Sequence, residues 1–200
     1  VSGGYITLSY TNPMGCRVTA PFVVNRRSPV TGPNRVCESQ VITLTSAEGG
    51  GTWASSTTAI ATMGSSTGIL IGVSGGTATV TYTLATGCFV TTTVTVNPLP
   101  NAISGTLGVC AGGVTTLSTT TPSGTWTSSN AAAATVGSST GVVTGVNTGV
   151  VTISYGNGCG TAATIGLSIL PPPAAITGAS MVAIGGTTTL ADVTTGGIWS

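Results

Sequence analysis

From Gly76 to Thr83 the chain alternates without a break. Ala78, Val80 and Tyr82 are apolar, and Thr77, Thr79, Thr81 and Thr83 stand between them. A period of two marks a strand with one face toward a core and one toward solvent. Val90, Val94 and Val96, interleaved with Thr91, Thr93 and Thr95, form a second such stretch. A third lies at the start, Gly4 to Tyr10. The turn signal Asn12-Pro13-Met14-Gly15 follows it, and Val18, Ala20, Phe22 and Val24 then supply the inward face of a partner strand. Short apolar runs at Val41–Thr45, Thr52–Ala54, Ile60–Met63 and Ile69–Ile71 are separated by the loop Gly49–Gly51 and the turn Ser65–Gly68. No stretch has a helical period. Short strands with turn signals between them predict an all-β sandwich or barrel.

The pattern also repeats. Trp53, Trp126 and Trp199 are spaced by 73 residues, as are Cys37 and Cys110, and Tyr10, Tyr82 and Tyr155 keep nearly the same step. The stretch from Trp53 to Cys88 returns as Trp126 to Cys159. Such self-similarity takes precedence over a domain count from length. The expected division is 1–25, 26–98, 99–171 and 172–200: the closing hairpin of one repeat, two complete repeats, and the opening part of a fourth. Short Pro-rich joints at Asn25–Asn34, Asn97–Pro100 and Leu170–Pro173 separate them, and such segments favour extended, semi-rigid spacing. Trp53, Tyr82, Trp126 and Tyr155 fall at core positions. In the second complete repeat Val114, Leu117, Val136, Val142, Val143, Val151, Ile153, Ile165 and Leu167 are expected to join them. The stretch equivalent to residues 55–72 is what separates Ser200 from the equivalent of Val1, so the chain reads as a window of a longer tandem array. The other reading is that the two part-repeats of neighbouring chains complete one another.

The five cysteines take their meaning from the repeat. One bridge per repeat pairs Cys37 with Cys88 and Cys110 with Cys159 and leaves Cys16 unpaired within these residues. Each bridge would close a loop of about 50 residues, contributing on the order of 4 kcal/mol through chain entropy to a domain whose core alone is marginal. This pairing opposes completion between chains, because Cys16 would need a cysteine where Ala183 stands. Buried free thiols are the alternative. Disulfides imply an oxidising, extracellular or cell-surface setting.

Charge changes the picture further. Only 4% of residues are charged, against about 25% in a typical domain. The bases Arg17, Arg26, Arg27 and Arg35 all lie early, the acids are Glu38, Glu48 and Asp192, and lysine and histidine are absent. A net charge of +1 offers no field for nucleic acid. No apolar run nears the roughly 20 residues that span a bilayer, so no membrane insertion is expected. Without histidine or lysine, nucleophilic triads lack a base. The acids are too scattered for calcium and the cysteines for zinc. Neither enzymatic activity nor a cofactor is expected.

The stretch Trp126-Thr127-Ser128-Ser129-Asn130, with Ala134-Thr135-Val136 and Gly141-Val142-Val143-Thr144-Gly145, resembles bacterial immunoglobulin-like domains of group 2, and residues 55–83 resemble them in the same register. The resemblance implies tandem immunoglobulin-like sandwiches of the kind found in intimin- and invasin-type adhesins and some phage structural proteins. The cysteines depart from the commonest members. The expected role is a structural segment of a secreted or cell-surface bacterial protein, forming a fibre or stalk by association with its own kind or with neighbouring repeats. The alternative is an adhesin module that recognises a glycan or a surface ligand. Thr77, Thr79, Thr81, Thr83, Thr91, Thr93 and Thr95 are the candidate face for assembly or for O-glycans, because so uncharged a surface tends to associate.

Overall fold

A computed structural model describes residues 3–24 and 26–200; Val1, Ser2 and Asn25, which fall in the expected first part-repeat and its joint, lie outside the described residues. The chain is all-β: tandem immunoglobulin-like sandwiches with short Pro-rich joints. It divides into two compact units. One comprises Val1–Leu99 with Cys159–Thr161, and the other Pro100–Gly158 with Ala162–Ser200.

The first unit opens with a hairpin, β1 (Gly4–Thr11) and β2 (Arg17–Val24), that among the described residues pairs with no other strand. Its register sets Ile6 opposite Phe22, Leu8 opposite Ala20 and Tyr10 opposite Val18, so the expected apolar face forms. That face is uncovered, and every named member is exposed. The sandwich proper follows. β3 (Arg35–Cys37), β5 (Thr52–Ser55), β8 (Gly76–Thr83) and β9 (Phe89–Asn97) make one sheet in the order β3-β9-β8-β5, and β4 (Val41–Thr43), β7 (Ile69–Gly72) and β6 (Ala61–Met63) make the other. β3 runs parallel to β9; the remaining pairs are antiparallel. Val36, Leu44, Trp53, Leu70, Ala78, Val80, Tyr82, Val94 and Val96 fill the space between the sheets.

The second unit repeats the plan. β11 (Gly108–Cys110), β17 (Ala163–Leu170), β16 (Gly149–Gly156) and β13 (Thr125–Ser128) form one sheet. β10 (Ser104–Gly105), β12 (Val114–Ser118), β15 (Val142–Gly145) and β14 (Ala134–Val136) form its partner. Leu117, Trp126, Val143, Val151, Ile153, Tyr155 and Leu167 are buried as the pattern predicts, with Val136 and Ile165 packed against them. Val114 and Val142 are corrections, since both are exposed. Val114 lies three residues from buried Leu117 and Val142 one from buried Val143, and an odd offset puts a strand residue on the opposite face. Ile103, Val109, Ala133 and Ile169 complete the core.

One glycine position recurs with the period. Gly32, Gly105 and Gly178 have φ of +134°, +140° and +135°. A Cβ there would sit 2.8, 2.7 and 2.5 Å from the carbonyl oxygens of Thr43, Thr116 and Thr189. Only glycine tolerates both the dihedral and the approach. The last of the three belongs to residues 171–200, where no strand forms and the single backbone bridge joins Thr177 to Ala191. That bridge matches Thr31–Thr45 in the first repeat and Ser104–Ser118 in the second.

Candidate assembly site

The threonines converge as a ladder. Register places Thr77 opposite Thr95, Thr79 opposite Thr93 and Thr81 opposite Thr91, on the face that turns away from Ala78, Val80 and Val94. Thr77, Thr79, Thr91 and Thr93 are exposed, and Thr81, Thr83 and Thr95 are half-buried. Thr52 and Ala54 of β5, opposite Thr83 and Thr81, extend the face. Cross-strand threonines pack through their methyls and exchange hydroxyl contacts, a favourable pair in a sheet. The face carries no charge along β8 or β9. In the second repeat the equivalent positions read Val150–Ser168, Thr152–Gly166 and Ser154–Thr164, so the ladder belongs to the first.

A tyrosine socket underlies each sandwich. Tyr82 lies against Trp53 with ring centroids 4.5 Å apart, and Tyr155 against Trp126 at 4.8 Å. The Tyr82 hydroxyl donates to the Glu48 carbonyl at 2.6 Å and accepts from the Gly51 N–H at 2.9 Å. Tyr155 does the same with Thr121 at 2.6 Å and Gly124 at 2.7 Å. Both hydroxyls thus tie two backbone groups of a loop to the sandwich core. The sequence suggests the aromatics as core but gives no sign of this paired hydrogen bonding.

The cysteine pairing is corrected. Cys37 bonds Cys159, 122 residues along, while Cys16, Cys88 and Cys110 are free thiols. The reason is strand direction. Parallel pairing sets Cys37 opposite Asn97 at one end of β9, whereas Cys88 precedes Phe89 at the other. Eight strand steps separate those ends by about 26 Å, far beyond the 4.4–6.8 Å between Cα atoms that a disulfide needs. Cys110, opposite Leu170, and Cys159, in the turn before β17, are divided in the same way.

Ser28 donates its hydroxyl to Glu48 Oε1 at 2.5 Å and its N–H to Oε2 at 3.2 Å. The carboxyl is held below the ordinary value of 4.5, first by the Ser28 hydroxyl and then by backbone N–H groups and the charge of Arg26, against an opposing effect of burial. A carboxyl depressed in the folded state stabilises fully above its unfolded value and loses that contribution as pH falls through its folded value. Glu48→Gln is therefore expected to lower the urea midpoint near neutral pH and to converge with the parent as pH falls through the depressed folded-state value of the carboxyl. Parallel urea titrations from pH 6 downward check this, and a constant difference at every pH would refute it. The other acid of the first repeat, Glu38, accepts the Leu99 N–H at 3.1 Å, so each carboxylate anchors its own joint. Arg26, Arg27 and Arg35 are exposed.

Among the described residues no helix is long and apolar enough to cross a membrane, and no group of three or more histidine, cysteine or acidic side chains could hold a metal ion. No protein-family model matches the chain, and no curated protein sequence does. Solved structures do resemble it. A C-terminal fragment of intimin, determined with the intimin-binding domain of its translocated receptor, is 18% identical at a TM-score of 0.45, over 66% of this chain and 58% of that one. Domains 1–6 of the surface-layer protein SbsC are 16% identical at 0.29, over 96% and 40%. Murine CEACAM1b is 13% identical at 0.34, over 72% and 100%. The chain spans less than two thirds of the intimin fragment and of the SbsC domains.

Proposed function

We propose that this chain is a structural segment of an extracellular or cell-surface fibre or stalk, built from group-2-type immunoglobulin-like repeats divided as 1–25, 26–98, 99–171 and 172–200. It works by association rather than by chemistry. The observation that carries this reading is the uncharged, register-paired threonine face of β8 and β9. A wide face without charge has nothing to keep a like face away. The disulfide fits an oxidising compartment. Of the aromatic residues of the two complete sandwiches Trp53, Tyr82, Trp126 and Tyr155 are buried and Phe89 alone is exposed, which leaves little for the stacking on which a glycan-binding adhesin would draw.

The test is a pair of opposite charges in the middle of the ladder. Thr79→Lys with Thr93→Glu keeps the strands paired, since opposite charges across a sheet are tolerated, but wets the face. The parent chain is expected to sediment as a concentration-dependent series and to give filaments or lateral bundles in electron micrographs. The double variant is expected to need at least tenfold more protein for the same association. A parent chain that stays monomeric and soluble at high concentration would sink the reading.

A further inference from the structure

The threonine ladder of the first repeat runs between two arginines. Parallel pairing sets Arg35 of β3 opposite Thr95, one step from buried Val36 opposite buried Val96. Alternation therefore turns Arg35 to the ladder side of the sheet. At the other end of β9, Phe89 stands opposite Thr83 and shares the parity of Thr91, Thr93 and Thr95. Its ring lies on the ladder side too and is 54% exposed. There Arg27, from the joint before β3, forms a shallow groove of about 420 Å³ with Pro29, Phe89, Val90 and Thr91. Six strand steps separate Phe89 from Thr95, about 20 Å. The face is thus a track floored with hydroxyls, with an arginine at each end and an aromatic ring beside one of them.

The acids of the first repeat leave these ends positive. Glu48 is held by Ser28 and feels the charge of Arg26, and Glu38 accepts the Leu99 N–H. Among the described residues neither Arg27 nor Arg35 has a carboxylate partner.

The fold requires none of this. The second repeat builds the same sandwich with Pro100, Gly108 and Ala162 at the positions of Arg27, Arg35 and Phe89. Val150 and Gly166 replace Thr77 and Thr93 there. Space does not impose the difference at Gly108, where a Cβ would meet only the Leu170 side chain, at 3.8 Å. Function lives in sites grafted on folds, and these residues are present in one of two like domains while the other folds without them.

We propose that this face binds a linear polysaccharide bearing carboxylates, a polyuronate, laid along the ladder. The ligand is not a second copy, so the proposal goes beyond the associative reading. Each guanidinium takes a carboxylate through paired N–H donors. The threonine hydroxyls, which both donate and accept, exchange hydrogen bonds with sugar hydroxyls, and Phe89 takes the apolar face of one ring. Two cations about 20 Å apart suit a polymer of low charge density. Nucleic acid carries a charge every few Å and needs a continuous basic stripe, which β8 and β9 do not supply. An acidic peptide draws its affinity from a sheet edge or from apolar pockets, and this is a face of hydroxyls.

The 200-residue chain, dilute and at low salt, is titrated into fluorescently labelled oligogalacturonate, and anisotropy reads the binding. Binding is expected, and it should weaken as salt rises. The methyl ester of the same oligosaccharide keeps the sugars and loses the charge. Polyglutamate keeps the charge and loses the sugars. Each should bind about tenfold more weakly or worse, as when charge-assisted hydrogen bonds are lost. Arg27→Gln and Arg35→Gln should each cost about tenfold in affinity for the same reason. Phe89→Ala, which installs the residue of the second repeat, should cost severalfold. Arg35→Lys keeps the charge and should recover part of the loss. Urea midpoints equal to the parent's show that the variants fold, and the ester and salt measurements need no variant. The proposal is overturned if oligogalacturonate does not bind, or if the ester, polyglutamate or single-stranded DNA binds as tightly. Arginine variants that bind like the parent overturn it as well. The associative reading is scored apart, by sedimentation without polysaccharide. Self-association that Thr79→Lys/Thr93→Glu weakens, without oligogalacturonate binding, keeps that reading and rejects this one. Binding by a chain that stays monomeric does the reverse.

Discussion

Trp126→Ala is expected to destabilise the second repeat by about 4 kcal/mol, within the range for truncating a buried aromatic. The indole is 6% exposed and pairs in register with Tyr155, whose ring lies 4.8 Å away. Its other side rests on Gly141, where a Cβ would come within 3.0 Å of the ring and 2.3 Å of the Leu117 carbonyl. Backbone therefore forms part of the wall and cannot collapse into the cavity. A repeat of about 73 residues sits near the low end of the 5–15 kcal/mol available to small domains, so the loss would leave much of it unfolded. Tyr155→Phe is the companion variant. It keeps the ring and loses the contacts to Thr121 and Gly124, for an expected cost of about 2 kcal/mol. Urea unfolding followed by circular dichroism should give a two-step curve in which only one step moves. Unchanged midpoints in Trp126→Ala would refute the account of this core.

Cys159→Ser is the second large effect. The bridge from Cys37 encloses 122 residues, and a loop of that length restricts the unfolded chain by about 5 kcal/mol in the chain-entropy model. Losing it should lower the urea midpoint by a comparable margin, and reduction of the parent should do the same. Cys88→Ser supplies the contrast. A bridge inside each repeat would make Cys88→Ser equally damaging, whereas the observed free thiol makes it nearly neutral. Equal losses in the two variants would overturn the pairing.

That contrast shows where sequence reading reaches and where it stops. The alternation in Gly76–Thr83 and Phe89–Asn97 decides which side chains face inward, because a strand has only two faces. The ladder of Thr79 with Thr93 and the burial of Val80 and Tyr82 follow from it. The spacing of the tryptophans reveals the repeat, and with it the socket positions. The cysteine partners depend on something periodicity does not carry, namely which end of β9 its neighbour β3 meets. A parallel first strand puts Cys37 at the end remote from Cys88, and nothing in the spacing distinguishes parallel from antiparallel. Val114 and Val142 fail for a smaller reason: apolar residues one or three apart cannot share a face. Residues 171–200, read from the sequence as the opening part of a repeat, form no strand, and the spacing alone does not foretell that.

The Cys37–Cys159 bond also decides how the chain would carry load. Tension applied at its two ends passes from residue 37 straight to residue 159, and the intervening strands, β4 through β16, lie on a closed loop that force does not enter. At about 3.6 Å per residue, that loop withholds on the order of 440 Å of contour length. Stretching releases it only when the disulfide is cut, so a reductant, rather than a stronger pull, sets the maximum extension.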